Sequence, residues 1–132
     1  INGKIPFFTH HSYETTHTNK RYLPFNSLSE LPFALQHIAI APHDGIIKKL
    51  MIRCESDAGS TIILTKVNTS EVSHGTVSIA GSGVVTNGVN TITTFIIGRS
   101  FNSGDMISIA LDPTDAPDDV NVTCVWEYDT NT

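Results

Sequence analysis

The stretch that decides the fold reads Asp105-Met-Ile-Ser-Ile-Ala-Leu-Asp-Pro-Thr-Asp-Ala-Pro-Asp-Asp-Val-Asn-Val-Thr-Cys-Val-Trp-Glu-Tyr128, two apolar segments on either side of a stiff acidic loop. The apolar residues of the second segment alternate along the chain and are Val120, Val122, Cys124, Trp126 and Tyr128. A period of two with a polar opposite face is typical of an antiparallel sheet with one solvated side. Because an exposed edge strand this apolar would aggregate, we expect the segment inside a sheet and Trp126 buried.

Working outward, the chain contains six further candidate strands separated by glycine-rich or Asx-rich turns. The complete set is Tyr22–Phe25, Leu35–Ala41, Ile46–Glu55, Ser60–Val67, Thr76–Ala80, Val89–Ile97, Met106–Leu111 and Val120–Tyr128. The one hint of a helix, a capping pattern at Ser27–Glu30, is stopped within a turn by Pro32. About eight short strands without helices predict an all-β protein, a compact antiparallel β-sandwich or barrel.

Residues 1–21 are polar and lack strand or helix periodicity, so we expect an extended N-terminal arm or linker ahead of a sandwich domain at 22–132. The arm carries one apolar anchor, formed by Ile5, Phe7 and Phe8. We expect these side chains to pack against another subunit, or against another protein of the same assembly, rather than against their own domain. Since this opening does not look like the start of a domain, we also expect the chain to be a piece of a longer protein.

Composition excludes several classes of partner. The chain has 132 residues, a net charge of −5 and only 16% charged residues, which suits a single domain with its own core. Its clustered cations are Lys20-Arg21 and Lys48-Lys49, too few for the basic stripe of a nucleic-acid-binding protein. No apolar run is long enough for a membrane span. We therefore predict no nucleic-acid partner and no membrane insertion.

Two groups of side chains are candidate metal ligands: His10, His11 and His17 in the arm, and Asp112, Asp115, Asp118 and Asp119 in the acidic loop. Zinc needs ligands held rigidly, and the arm lacks periodicity. The acidic loop has two prolines, no glycine and no EF-hand spacing, which favours a rigid turn. There is also no Gly-x-Ser-x-Gly elbow and no evident acid pair. We predict no metal, no cofactor and no catalytic residues, hence no enzyme.

Two cysteines, Cys54 and Cys124, lie within candidate strands. They are either buried free thiols that serve as small apolar side chains, or a disulfide that joins two strands. The sequence leaves both readings open. His37, also within a candidate strand, is expected to be hydrogen-bonded or at an interface.

Three stretches carry a resemblance: Tyr22-Leu-Pro-Phe-Asn-Ser-Leu-Ser-Glu30, Ile40-Ala-Pro-His-Asp-Gly45, and the acidic loop with its terminal strand, 112–128. Together they resemble C-terminal domains of fibre-like and appendage proteins of marine tailed bacteriophages, including cyanophages. The pattern is also similar to the compact jelly roll of the C1q and tumour-necrosis-factor kind. The resemblance implies a jelly roll, a homotrimer and a place on the virion surface, and it carries over no catalytic residues.

The strands also hold more apolar side chains than one inward face needs, namely Ile38, Ile40, Ile63, Phe95, Ile97 and Val125. Surplus apolar surface indicates a partner, which agrees with a trimer. The leading hypothesis is a fibre or appendage domain whose loops at 56–60, 68–75, 81–88 and 99–104 bind a host glycan or outer-membrane protein. The alternative is a capsid decoration or connector protein whose arm grips another virion protein. A glycan depolymerase is the weakest hypothesis.

Overall fold

A computed structural model describes residues 3–13, 19–25, 38–53, 61–77, 93–113 and 120–131. Within these ranges lie nine strands: β1 (Lys4–Tyr13), β2 (Arg21–Tyr22), β3 (Ala39–Ile40), β4 (Asp44–Arg53), β5 (Thr61–Val67), β6 (Ser70–Val77), β7 (Thr93–Phe101), β8 (Met106–Asp112) and β9 (Val120–Asp129). All their pairings are antiparallel. The predicted all-β antiparallel sandwich is confirmed, and the architecture is jelly-roll-like.

The strands form two sheets. One has the order β1-β9-β4-β7, and the other has the order β2-β8-β5-β6, with β3 also paired to β8. Each of the eight strands predicted from the sequence overlaps an observed strand. The apolar terminal strand β9 lies between β1 and β4, so its position inside a sheet is as predicted.

The core lies between the sheets and is centred on β9. Trp126 is only 2% exposed, which confirms its predicted burial. Its ring lies 6.1 Å from Phe7, 6.1 Å from Phe25 and 5.9 Å from Phe101, measured between ring centroids. Aromatic pairs at such distances add to the stabilisation that burial alone provides. Trp126 on the inner face of β9 is therefore the centre of an aromatic cluster to which both the N-terminal and the C-terminal part of the chain contribute rings.

The expected arm is wrong for Lys4–Tyr13, which forms the ten-residue edge strand β1 along β9. Phe7 stacks on Trp126 of its own chain, so the expected packing of this residue on a neighbour is also wrong. Ile5 and Phe8 remain exposed, and their docking on a partner stays a prediction. Hydrophobic periodicity missed β1 because some of its inward positions are polar, with buried His11 satisfied by hydrogen bonds.

Strand β4 contains a β-bulge at Lys48, where the pairing with β9 jumps from Ile47 to Lys49. Ile47 points inward before the bulge and Leu50 points inward after it, so the strand changes its inward positions from odd to even. A bulge adds one residue to one strand of a pair and leaves it without a direct partner. It thereby turns both lysines away from the core.

Arg99 joins the two sheets on the β6–β7 side. Its Nη1 donates to the carbonyl oxygen of Thr65 at 2.7 Å and to Oγ1 of Thr65 at 3.0 Å, while its Nη2 donates to the carbonyl oxygen of Ser70 at 2.7 Å. His74 hydrogen-bonds the same threonine hydroxyl. Burial, and secondarily the charge of Arg99, lower the pKa of His74. A guanidinium with several donors in a fixed fork suits such a clamp between strands.

Glycine is required where β4 passes closest to its neighbours. A Cβ on Gly45 would lie 2.6 Å from the carbonyl oxygen of Glu127 and 2.7 Å from the ring of Phe101. Both distances are below any normal van der Waals contact. The inner side of the sheet is thus packed to its limit at this point.

Candidate assembly interface

The side of the four-stranded sheet that faces away from the core carries a row of mostly apolar side chains. Cross-strand pairing places Phe8, Val125, Lys49 and Ile96 in one row that runs from β1 to β7. Phe8 is 69% exposed and Ile96 is 81% exposed. We call this row, together with Pro6 and Met51, the outer apolar face. Soluble proteins rarely leave large apolar side chains clustered in water without a partner.

A shallow groove of about 470 Å³ runs along this face. It is lined by Pro6, Phe7, Phe8, Lys49, Met51, Thr123 and Val125. The groove therefore combines an apolar wall and floor with a single charged group. Such a surface can receive protruding apolar side chains.

A second exposed apolar pair lies on the other sheet. Ile40 of β3 and Met106 of β8 are direct cross-strand partners, 70% and 46% exposed. We call them the Ile40–Met106 pair. Asp105 precedes Met106, and its carboxylate accepts hydrogen bonds from the backbone N–H of Asn102 and the side chain of Asn68. These bonds, the first of them foremost, lower the pKa of Asp105, so this pair carries an adjacent negative charge.

Around Tyr22, the outer side of the five-stranded sheet is polar and internally paired. Lys20 Nζ donates to a carboxylate oxygen of Glu71 at 2.9 Å, and the Tyr22 hydroxyl donates to the other oxygen at 3.3 Å. The hydrogen bond to Glu71 is the main cause that raises the pKa of Lys20. Lys66 lies 5.7 Å above the Tyr22 ring, and Ser108 is buried beside them. These polar groups already have partners within the chain.

The candidate metal ligands of β1 are separated by the strand itself. His10 faces solvent while His11 faces the core, so the two rings lie on opposite sides of the sheet. His11 Nδ1 donates to the carbonyl oxygen of Pro24 at 3.0 Å, and its Nε2 accepts from the hydroxyl of Thr9 at 2.8 Å. That hydroxyl accepts from the indole N–H of Trp126 at 2.7 Å. Burial lowers the pKa of His11 from 6.5 to about 4, so the ring is neutral at pH 7.

The other candidate ligands lie mostly outside the described residues. These are His17 and the acidic positions Asp115, Asp118 and Asp119, whereas Asp112 ends β8. His37, which is expected to be hydrogen-bonded or at an interface, also lies outside the described residues. Among the residues that are described, no three ligand-type side chains come together as a metal site. The same residues include no helix long and apolar enough to cross a membrane. The absence of a metal and of a cofactor therefore stays a prediction.

Cys124 is a free thiol buried on the inner face of β9, and burial raises its pKa. Cys54 lies outside the described residues, as does the capping pattern at 27–30. Cys124 thus acts as a small apolar side chain of the core.

Two of the expected binding loops are described, and both are shorter than expected. Most of 68–75 belongs to strand β6, which begins at Ser70 after a tight turn in which Asn68 has a φ of 56°. In 99–104, Phe101 still belongs to β7. Residues 70–75 are mostly polar because they belong to a solvent-exposed edge strand, and the same composition is typical of a loop. The loops at 56–60 and 81–88 lie outside the described residues.

Five of the six surplus apolar residues divide into two groups, and the sixth, Ile38, is half-buried. Ile63 is fully buried, and Phe95 and Ile97 pack against the core, so these three are not surplus. Ile40 is exposed, as the hypothesis required, and Val125 lies on the outer apolar face. Ile96 is not among the surplus residues expected from the sequence, although three consecutive apolar residues in a strand place the middle one on the opposite side from its neighbours.

Comparison with solved structures finds proteins that are similar to this chain in fold, at low sequence identity. The chain is similar to a family 35 carbohydrate-binding module from Clostridium thermocellum, with a TM-score of 0.53, 10% identity, and coverage of 92% of this chain and 97% of that one. It is also similar to a capsid structure of Helicobacter pylori bacteriophage KHP30, with a TM-score of 0.49, 10% identity and coverage of 95% and 90%. A third similar chain comes from the capsid of cyanophage Pam1, with a TM-score of 0.41, 15% identity and coverage of 96% and 86%.

No protein-family model matches the sequence, and no curated protein matches it. At such low identities the first structural likeness supports the β-sandwich fold alone, and the two phage capsids, with TM-scores below 0.5, add no argument to it.

Proposed function

We propose that this chain is a non-enzymatic structural protein of a tailed-bacteriophage virion, a surface-exposed fibre or appendage domain that assembles through the outer apolar face. The observation that carries the proposal is that face itself, with Phe8 and Ile96 projecting into solvent from opposite edge strands of one sheet. The sequence resemblance of residues 22–128 to phage appendage domains supports the virion. The fold shared with a carbohydrate-binding module is compatible with a binding role.

We further propose that the assembly is a homotrimer. A closed ring of identical subunits buries a repeated apolar face without leaving an open end. Such a trimer would present the ends of its sandwiches outward, including the turn at Asn102–Gly104, to a host glycan or outer-membrane protein. A glycan array probed with the purified protein tests this part.

The test of assembly is the mass of the purified protein by light scattering at micromolar concentration. The expected result is a species of three chains. Replacement of Ile96 by aspartate, I96D, places a charge on the face and is expected to give a single folded chain. Val72→Asp is the matched control, because Val72 is an exposed apolar residue of β6, on the other sheet. A wild-type protein that is a monodisperse monomer overturns the proposed assembly.

A capsid decoration or connector protein is the alternative. It would use the same face against another virion protein instead of against its own copies. In that case the isolated chain is a monomer, and the face becomes protected from solvent only on the particle. Hydrogen exchange of β1 and β7 in free and particle-bound protein distinguishes the two.

A further inference from the structure

We propose that the outer apolar face of one copy receives the Ile40–Met106 pair of the next copy. This inference rests on the proposed assembly and names the surface that fills the face. It makes the contact heterologous, with two different patches on each subunit. Heterologous contacts are the kind that close into rings such as a trimer.

The two patches fit in shape. The outer apolar face holds a groove of about 470 Å³ bordered by Phe8 and floored in part by Val125 and Met51. The Ile40–Met106 pair projects from its sheet, with Ile40 70% exposed. A groove matched by protruding side chains supports the close packing found at the centre of stable interfaces.

The two patches also fit in charge. Lys49 lines the groove, and Lys48 is exposed at the bulge beside it. Asp105 lies next to Met106 with its carboxylate fixed by Asn68 and the Asn102 backbone. Positive groups beside one apolar patch and a negative group beside the other favour head-to-tail contact between copies. A pair of identical patches would instead bring lysine near lysine.

The experiment uses two variants that each disable one patch, Phe8→Asp and Ile40→Asp. Both side chains are exposed, so both variants are expected to fold, which circular dichroism and the fluorescence of Trp126 verify. If either variant fails to fold, serine replaces aspartate at the same position. Alone, each variant is expected to lose the wild-type mass and run as one chain. Val72→Asp, which alters neither patch, is expected to keep the wild-type mass.

The decisive measurement is the mass of an equimolar mixture of the two variants. Each Phe8→Asp chain keeps an intact Ile40–Met106 pair, and each Ile40→Asp chain keeps an intact face, so one native contact can form between them. The expected product is a species of two chains that grows no further. A mixture that stays monomeric, or an Ile40→Asp variant that retains the wild-type mass, overturns this inference while the proposed assembly stands. A monomeric wild type overturns both.

Discussion

Phe7 and Phe8 are consecutive in the sequence and lie on opposite sides of one sheet. Phe7 stacks on Trp126 between the sheets, whereas Phe8 is 69% exposed at the edge of a groove. The same contrast continues across the sheet, where an aromatic cluster fills the inner side and the row from Phe8 to Ile96 crosses the outer side. Both sides carry apolar residues, but the part of the chain that the structure describes fills only the inner one. The difference separates residues that stabilise the fold from residues available for a partner.

The strongest test of the inner side is Trp126→Ala. Removing this side chain takes away an aromatic group packed against three other rings. The free energy of unfolding is expected to fall by about 3–5 kcal/mol, measured by chemical denaturation. Val125→Ala, one residue away on the outer side, is the control. Equal losses for the two variants would contradict the assignment of the sides.

Acid is expected to act on the inner side through His11. Its folded pKa of about 4 is below the ordinary 6.5, so the unfolded chain binds the proton first. The contribution of the neutral His11 ring to the free energy of unfolding is complete above pH 6.5, and it is lost as pH falls from 6.5 to about 4. The loss is about 3 kcal/mol, since a tenfold change in proton affinity corresponds to about 1.4 kcal/mol. His74, whose pKa is also lowered, contributes in the same direction.

Denaturation curves collected between pH 7 and pH 4 measure this loss. A His11→Gln variant is expected to be less stable at pH 7 and to lose less on acidification than the wild type. His10→Gln changes the neighbouring histidine on the outer side and keeps His11, so it retains the acid-dependent loss. Parallel curves for His11→Gln and wild type would show that the buried ring is not responsible.

A smaller effect is expected from Gly45→Ala. The added Cβ would meet the Glu127 carbonyl and the Phe101 ring, so the sheet must shift to accept it. Overpacking of this kind costs about 1–3 kcal/mol, observable as a lower melting temperature. An unchanged melting temperature would show that the inner side has spare room at this point.

The smallest effect on folding is expected from Phe8→Ala. An exposed side chain contributes little to its own fold, so the unfolding free energy of the monomer should change by less than about 0.5 kcal/mol. The variant should nevertheless weaken self-association, observed as a lower mass at equal concentration. A large loss of stability without a change in association would make Phe8 part of the core and remove the contrast with Phe7.

The strands could be predicted from the sequence wherever the inward residues are apolar and alternate with polar ones, as in β9, or recur at every second position, as in β8. Strand β1 could not be predicted in this way, because Thr9 and His11 occupy inward positions. Their polar groups are satisfied by hydrogen bonds that sequence patterns do not reveal. From the sequence, the outer apolar face could be predicted only in a general form, as a number of apolar residues greater than one inward face needs. Its location depends on which side of each strand faces inward, and in β4 the bulge changes that side.

The bulge at Lys48 acts through the residue that it adds to the backbone rather than through a side chain. If all residues of β4 paired regularly with β9, without the bulge, every residue after Lys48 would shift by one position in phase. Lys49 would then point into the core, and Leu50 and Ile52 would point into water. Because Ile47 and Lys49 pair with consecutive residues of β9, a chain that lacked Lys48 would keep Leu50 and Ile52 inward, so substitution and deletion of Lys48 are both expected to preserve the orientation of the strand.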